Sequence, residues 1–123
     1  MRNGRFERED AVRYYKNGTY HREDGPAVEE KNGTKEWWVN GKLHREDGPA
    51  IEYPNGTKNW CLNGMFHRED GPAIIDADGT EEWFLYGEEV SEEEFNQWLE
   101  KKKLNEKLHA TLAPRQKEKK KKI

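Results

Sequence analysis

The stretch His44-Arg45-Glu46-Asp47-Gly48-Pro49-Ala50 spells HREDGPA, and the same seven letters occur at residues 21–27 and 67–73. The three copies begin 23 residues apart. The residues between them recur too: an Asn-Gly-Thr or Asp-Gly-Thr triplet stands at 32–34, 55–57 and 78–80, and a tryptophan follows at positions 37, 60 and 83. Because a period of about 20 to 50 residues is typical of repeat architectures, the sequence predicts a chain built from 23-residue units.

A shortened copy precedes the three full ones. Residues 3–10 match residues 40–47, with Glu7 in place of the histidine, and Tyr14-Tyr15 match Trp37-Trp38. Terminal repeats are commonly atypical. We therefore predict a repeat region over residues 1–90, with units near 3–20, 21–43, 44–66 and 67–90.

The repeats carry the signals of β-hairpins. Asn-Gly and Asp-Gly pairs supply the positive φ values that tight turns need, so strands are predicted between them, over residues 27–30, 50–53 and 73–76 and over 35–39, 58–62 and 81–85. Strand alternation places Trp37 and Val39 on one face, which we expect to be the core. The opposite face carries position 38 and its equivalents, Cys61 and Phe84, and is predicted to be either a second buried layer or a binding surface.

Residues 48–70, GPAIEYPNGTKNWCLNGMFHRED, resemble a MORN repeat, a 23-residue β-hairpin unit. The HREDGPA version is similar to uncharacterised repeat proteins of bacteriophages and large viruses. The resemblance covers about residues 3 to 90 and implies a mainly β fold, an elongated, twisted antiparallel sheet with one hairpin per repeat. A C-terminal helix is expected to cap this sheet.

That helix, or pair of helices, is predicted over residues 91–112. Ser91 with Glu94 forms a capping box, the acidic first turn favours the helix dipole, and Pro114 is expected to end the helix. Apolar residues 95, 98 and 99 are predicted to cover the open edge of the last hairpin. A second apolar row on another face is a candidate contact with an external protein or, in a homodimer, with a second copy: Leu104, Leu108 and Leu112.

The charge is divided unevenly along the chain. There are 22 Lys and Arg and 25 Asp and Glu, a net charge of -3. Residues 1–100 hold 12 basic and 23 acidic residues, whereas residues 101–123 hold ten basic and two acidic ones. We predict a basic, flexible tail over residues 113–123, through which the protein alternatively contacts nucleic acid or a membrane surface.

The repeated HRED letters have three interpretations: a metal ion in each repeat, a ridge that binds a partner, or a polar ladder that stacks the repeats. Histidines two strands apart lie about 9 to 10 Å from each other, too far to share one zinc ion. We predict the ladder, with arginine–carboxylate pairs, turn-forming aspartates and histidines that cap backbone groups, and neither a metal nor a cofactor. Its members are His21, Arg22, Asp24, His44, Arg45, Asp47, His67, Arg68 and Asp70.

No motif of an enzyme is present in the sequence, and the single cysteine excludes an internal disulfide. No apolar run approaches the roughly 20 residues of a membrane span, so a cytoplasmic protein is predicted, in the host cytoplasm if a phage encodes it. We predict a non-enzymatic protein-binding module, and the resemblance implies an adaptor or inhibitor of a host bacterial complex, with a defence complex among the targets. A weaker alternative is sequestration of a small molecule or nucleotide between the helix and the sheet. The candidate partner-binding residues are Glu36, Trp38, Tyr53, Cys61, Glu82 and Phe84.

Overall fold

A computed structural model describes the backbone of residues 1–121 and the side chains of residues 1–111. The chain is mainly β, as predicted, with one ten-stranded antiparallel sheet followed by a C-terminal helix. It forms two units, one ending at Ser91 and the other beginning at Glu92. The strands of the described residues are β1 (Gly4–Glu7), β2 (Ala11–Lys16), β3 (Thr19–Tyr20), β4 (Val28–Glu30), β5 (Lys35–Glu36), β6 (Trp38–Val39), β7 (Lys42–Leu43), β8 (Ile51–Glu52), β9 (Lys58–Asn59), β10 (Cys61–Leu62), β11 (Met65–Phe66), β12 (Ile74–Ile75), β13 (Glu81–Leu85) and β14 (Glu88–Val90).

The sheet follows the order of the chain. Its strands lie in the order β1-β2-β4-β5-β8-β9-β12-β13-β14, with β3 also paired to β2, while β6 with β7 and β10 with β11 form separate two-stranded ladders. Each neighbouring pair is antiparallel. Tight hairpins join β4 to β5, β8 to β9 and β12 to β13, as is usual for antiparallel neighbours, whereas the chain passes through β6 and β7, or through β10 and β11, before the next such pair.

Two of the predicted second strands are interrupted at a tryptophan. Residues 35–39 form β5 and β6 on either side of Trp37, and residues 58–62 form β9 and β10 on either side of Trp60. The N–H of Trp37 donates to the carbonyl oxygen of Ala50 at 2.7 Å, whereas its own carbonyl accepts from the N–H of His44 at 3.0 Å. The chain thus leaves the large sheet at each tryptophan and enters a small hairpin. In the last unit β13 is continuous, as predicted.

Two kinds of turn connect the strands. Asn40 and Gly41 have φ values of +50° and +76°, the two positive values of a type I′ turn, and the turns at residues 17–18, 63–64 and 86–87 repeat them. In the other kind only the glycine is positive, as at Gly33. The side chain of Asn32 there accepts a hydrogen bond from the N–H of Thr34 at 2.9 Å, as turn asparagines commonly do.

The core of the repeat region consists of small side chains. The face predicted to be the core is less buried than expected, because Trp37, Trp60 and Leu62 are only half-buried. Charged groups rather than hydrocarbon cover the tryptophan rings, as described below. The buried apolar residues of this region are Ala11, Ala27, Val28, Ala50, Ile51, Cys61 and Ala73.

The C-terminal helix α1 (Glu92–Lys121) begins directly after Ser91, where the capping box predicts it. It continues beyond Pro114, so the predicted end was wrong; the Arg, Gln, Lys and Glu residues that follow the proline favour helix.

Of the leucine row predicted to contact another protein, Leu104 and Leu108 are 56% and 46% exposed. Leu112 and the basic side chains of 113–123 lie outside the described side chains. No helix in the described part of the chain is long and apolar enough to cross a membrane.

Candidate functional site

The Arg45 side chain connects two consecutive units. Its Cζ atom lies 3.8 Å from the centre of the Trp37 ring in the preceding unit, a distance at which a cation is attracted by the face of an indole. Its Nε donates to Asp47 Oδ1 at 3.1 Å, and its Nη1 donates to the carbonyl oxygen of Pro49 at 3.1 Å. The guanidinium group therefore joins the tryptophan of one unit to the HREDGPA turn of the next.

This arrangement occurs three times. Arg68 lies 3.8 Å from the ring centre of Trp60, and Arg22 lies 4.1 Å from that of Tyr14. In each copy Nε donates to the aspartate two residues later, and Nη1 donates to the proline carbonyl four residues later. The tyrosine of the first, shortened unit thus takes the place of the tryptophan.

The glycine and the alanine of the motif are explained by the space around them. A Cβ atom placed on Gly48 would lie 2.9 Å from Arg45 Cζ, closer than nonbonded carbons approach, so a glycine lets the guanidinium lie against the backbone. Ala50 is fully buried, at 0% exposure. Its N–H donates to the carbonyl of Asn59 at 2.8 Å, and its carbonyl accepts from Trp37. A larger side chain would have no space at this point.

The histidine of each motif holds the type I′ turn of its own unit. His44 Nδ1 accepts a hydrogen bond from the N–H of Asn63 at 3.0 Å, and the carbonyl of Leu43 accepts from the N–H of Gly64 at 2.8 Å. His21 and His67 repeat the contact at 2.8 and 2.9 Å. Because Nδ1 accepts, the ring N–H is on Nε2.

Nε2 of each histidine faces the glutamate two residues later. The distances to the carboxylate oxygen are 3.6 Å for His21, 3.8 Å for His44 and 2.9 Å for His67. His67 is also buried, at 3% exposure, and stacks on Tyr86 with ring centres 4.1 Å apart. No group of three or more His, Cys, Asp and Glu side chains among the described residues is placed to hold a metal ion.

Asn3, not Glu7, takes the histidine's role in the first unit. Asn3 Oδ1 accepts from the N–H of Asn17 at 2.9 Å, and the carbonyl of Arg2 accepts from Gly18. The sequence match of Glu7 to the histidine was wrong because Glu7 pairs with Val12 inside the first hairpin. This register leaves residue 3 beside the turn.

An open groove of about 590 Å³ lies between two consecutive HRED turns. Its lining comes from residues 22–25, residues 44–47 and the apolar side chains of Trp37 and Val39. Four carboxylates line it, with side-chain exposures of 80% to 89%: Glu23, Asp24, Glu46 and Asp47. The guanidinium of Arg22 lowers the pKa of Asp24, which keeps this carboxylate charged.

Each arginine of the groove has a second carboxylate nearby, in addition to the aspartate of its own motif. Besides its aspartate, Arg22 has Glu29 at 3.6 Å and Arg45 has Glu52 at 3.9 Å. Glu29 and Glu52 are not part of the groove lining, which holds two arginines and four carboxylates. The groove is acidic at its exposed edges and apolar where Trp37 and Val39 line it.

The aromatic residues predicted to form the second face make a partly packed row, in which Trp38 and Phe66 belong to the small ladders. The Trp38 ring lies 5.4 Å from that of Tyr20, and the Phe84 ring lies 5.1 Å from that of Phe66. Trp38 Nε1 donates to Glu36 Oε1 at 2.7 Å. Of the other predicted partner-binding residues, Tyr53 is 39% exposed and Glu82 is half-buried opposite Ile74.

Cys61 was wrongly placed among the candidate binding residues. It is 2% exposed, and burial raises the pKa of its thiol to about 11. Cysteine stands where Trp38 stands one unit earlier, and Asn59 stands where Glu36 does. The small thiol is buried, but unlike the indole of Trp38 it has no N–H that could donate to the side chain at position 59. Asn59 Oδ1 is buried and has no hydrogen-bond partner in the structure.

Sequence reasoning predicted the arginine–aspartate pairs but missed the ring beneath each arginine. The signal was available: an aromatic residue precedes each arginine of the motif by eight positions, at 14 and 22, 37 and 45, and 60 and 68. Asn3 carried no such signal, because its match in the later units is the turn residue Asn40 and not a histidine.

Comparison of the chain with known proteins found no matching family model, no matching curated protein and no matching solved structure. The resemblance to MORN repeats stays a prediction.

Proposed function

We propose that the protein is a non-enzymatic binding module that recognises another protein with the acidic surface of its repeats. One observation carries this proposal. The HRED turns present carboxylates at the same positions of consecutive units, with side-chain exposures of 87%, 89% and 84% for Asp24, Asp47 and Asp70. A regularly repeated surface is what other repeat proteins use to bind extended partners.

The histidine, arginine and cysteine side chains of the repeats are engaged in contacts within the fold, which supports a binding role. The histidines use Nδ1 to hold turns, as His44 does for Asn63. The arginines are stacked and hydrogen-bonded, and Cys61 is buried with a raised pKa. These groups contact other parts of the fold, whereas the exposed carboxylates place negative charge at the surface.

The charge favours a basic partner. Residues 1–91 contain 12 basic and 19 acidic residues, and complementary charge steers association and excludes partners of the wrong sign. Exposed apolar side chains in the same region, Tyr53 at 39%, Met65 at 41% and Tyr86 at 58%, are of the types enriched at protein interfaces.

The test is affinity capture with the full chain from a bacterial lysate, chosen because of the phage-type resemblance, in nuclease-treated and untreated arms. We expect a stoichiometric protein that survives nuclease and that binds the purified chain directly in size-exclusion chromatography. A charge-reversed variant, Glu23→Lys with Glu46→Lys, should lose it. Absence of any nuclease-resistant partner, or equal capture by the variant, would contradict the proposal.

A second candidate function, contact with nucleic acid or an anionic membrane, rests on the net charge of +8 that ten basic and two acidic residues give to residues 101–123. Such contact releases counterions, so its affinity should fall steeply as salt rises. A variant ending at residue 112 should then lose binding to DNA fragments and to phosphatidylserine vesicles. Unchanged binding by this variant would refute a role of residues 113–123, which hold six of the ten basic residues.

A further inference from the structure

We propose that the groove between consecutive HRED turns binds an extended basic segment of the partner, with one lysine or arginine side chain in each groove. Cationic side chains three residues apart, on a segment in polyproline II conformation, match the spacing of the grooves. The inference rests on the proposed function and names the chemistry of the partner.

The charge of the groove selects a cation. Two arginines and four carboxylates line it, which gives a formal charge of -2. Asp47 uses Oδ1 for Arg45, and its side chain remains 89% exposed. Glu23 and Glu46 have only long contacts, of 3.6 and 3.8 Å, to their histidines. An incoming ammonium or guanidinium group would find carboxylates from both turns.

The apolar lining suits the rest of such a side chain. Lysine and arginine carry aliphatic stems that pack on apolar surface while their charged ends remain near water. Trp37 and Val39 supply that surface inside the groove. A small inorganic cation would leave it uncovered, so the arrangement favours a side chain over a free ion.

The repeat sets the distance between neighbouring grooves. Each full unit adds two strands to the large sheet, as β4 with β5 and β8 with β9 do. Strands lie about 4.8 Å apart, so equivalent positions recur about every 9.6 Å. From this repetition we expect a second groove of the same kind between residues 45–48 and 67–70, beside Trp60 and Leu62.

A polyproline II segment fits this distance. It has three residues per turn and rises about 3.1 Å per residue, so every third side chain points the same way at about 9.3 Å intervals. In a β-strand, side chains on one face recur at about 6.6 Å, which does not match. The spacing therefore favours lysine or arginine at every third position.

The experiment titrates the full chain with two fluorescent peptides of equal composition at low salt. One has lysine at every third position, (Lys-Pro-Pro)₄, and the other has lysine at every second position, (Lys-Pro)₄ followed by four prolines, so that no two of its lysines are three residues apart. We expect the spaced peptide to bind about tenfold more tightly. Glu23→Gln with Glu46→Gln should weaken its binding about fivefold, as expected for two exposed ion pairs.

The matched control is Glu88→Gln with Glu89→Gln, which removes the same charge from exposed residues of β14. It should change the affinity less than twofold. Equal affinity for both peptides, or equal weakening by both double variants, would overturn the proposal, because net charge alone would then explain binding. Thermal unfolding of both variants confirms that they fold.

The two proposals can fail separately. If a partner is captured but the peptides bind equally, the groove is not its site and the proposed function stands. If the spaced peptide binds selectively and no partner is captured, the groove stands as a site for basic segments and the proposed role as a protein-binding module fails.

Discussion

Replacing Gly48 by alanine tests whether the stacked arginine stabilises the repeats. The φ angle of Gly48 lies outside the left-handed region. At such a position, exchange of glycine for alanine ordinarily stabilises a protein by about 0.4 to 1 kcal/mol, because it restricts the unfolded chain. Here the new Cβ would lie 2.9 Å from Arg45 Cζ, the atom that lies 3.8 Å from the centre of the Trp37 ring. The guanidinium group must shift, and we expect it to lose its contact with the ring.

The expected loss follows from the contacts that Arg45 makes. Its side chain is 23% exposed. The cation–π contact contributes about 1 kcal/mol at such a site, and the hydrogen bonds from a charged donor to Asp47 and Pro49 contribute about 1.5 kcal/mol or more. After the gain from the unfolded state is subtracted, Gly48→Ala should destabilise the protein by about 1.5 to 2 kcal/mol. For a domain of about 90 residues, this corresponds to a fall of roughly 8 to 12 °C in Tm.

The assay is urea unfolding of the full chain, followed by tryptophan fluorescence, in a double-mutant cycle with Arg45→Met. Without a guanidinium group there is nothing for the new Cβ to displace, so Gly48→Ala should be neutral or slightly stabilising in that background. A coupling free energy below about 0.5 kcal/mol is what independent sites give. Such a value, or a stabilising Gly48→Ala in the otherwise unchanged protein, would refute the role assigned to the stacked arginine.

Three further predictions concern other contacts. His44→Asn should preserve the acceptor for the Asn63 N–H, as Asn3 does for Asn17, whereas His44→Leu should cost about 1 to 2 kcal/mol and speed hydrogen exchange of the Asn63 amide; equal stability of the two variants would contradict the turn-holding role. The raised pKa of Cys61, about 11 against 9.0 for the free thiol, means that the unfolded chain loses this proton first as pH rises. Stability should be full below pH 9 and fall by about 2 kcal/mol between pH 9 and 11 relative to Cys61→Ala, and parallel pH profiles of the two proteins would disprove it. The lowered pKa of Asp78, whose carboxylate accepts the Thr80 N–H, gives stability that is present above its ordinary pKa of 3.8 and lost as pH falls below it. Asp78→Asn should keep the turn, as Asn32 does, and lose less stability than the unchanged protein in an acid titration followed by circular dichroism.

The turns and the start of the helix could be predicted from sequence because their signals are local. Asn40-Gly41 adopts the paired positive φ values that this dipeptide favours, and Ser91 precedes the helix that its capping box predicts. The strand interruption at Trp37 could not be predicted in this way. It depends on a change of hydrogen-bonding partner, from Ala50 to His44, and alternation within one segment contains no information about which neighbour a residue pairs with.

The candidate site was predictable in its parts and not in its arrangement. The repetition of HRED indicated that Arg45 and Asp47 form part of a ladder, but the groove requires two turns to face each other across Trp37 and Val39. Cys61 illustrates the opposite limit. Its position in the period matched an aromatic site, yet a smaller side chain at the same position is buried, because burial depends on the size of the side chain as well as on the face that carries it.

The hydrogen bonds that hold the type I′ turns all run in one direction. His44 and the carbonyl of Leu43 accept hydrogen bonds from the N–H groups of Asn63 and Gly64. The acceptors thus precede the donors in the chain, and the unit that follows repeats this relation with its own residues. Duplication of one complete period would therefore place each new donor opposite an acceptor of the same kind, whereas an insertion of any other length would separate them. A change of length by whole periods would therefore extend or shorten the sheet without requiring a new kind of contact.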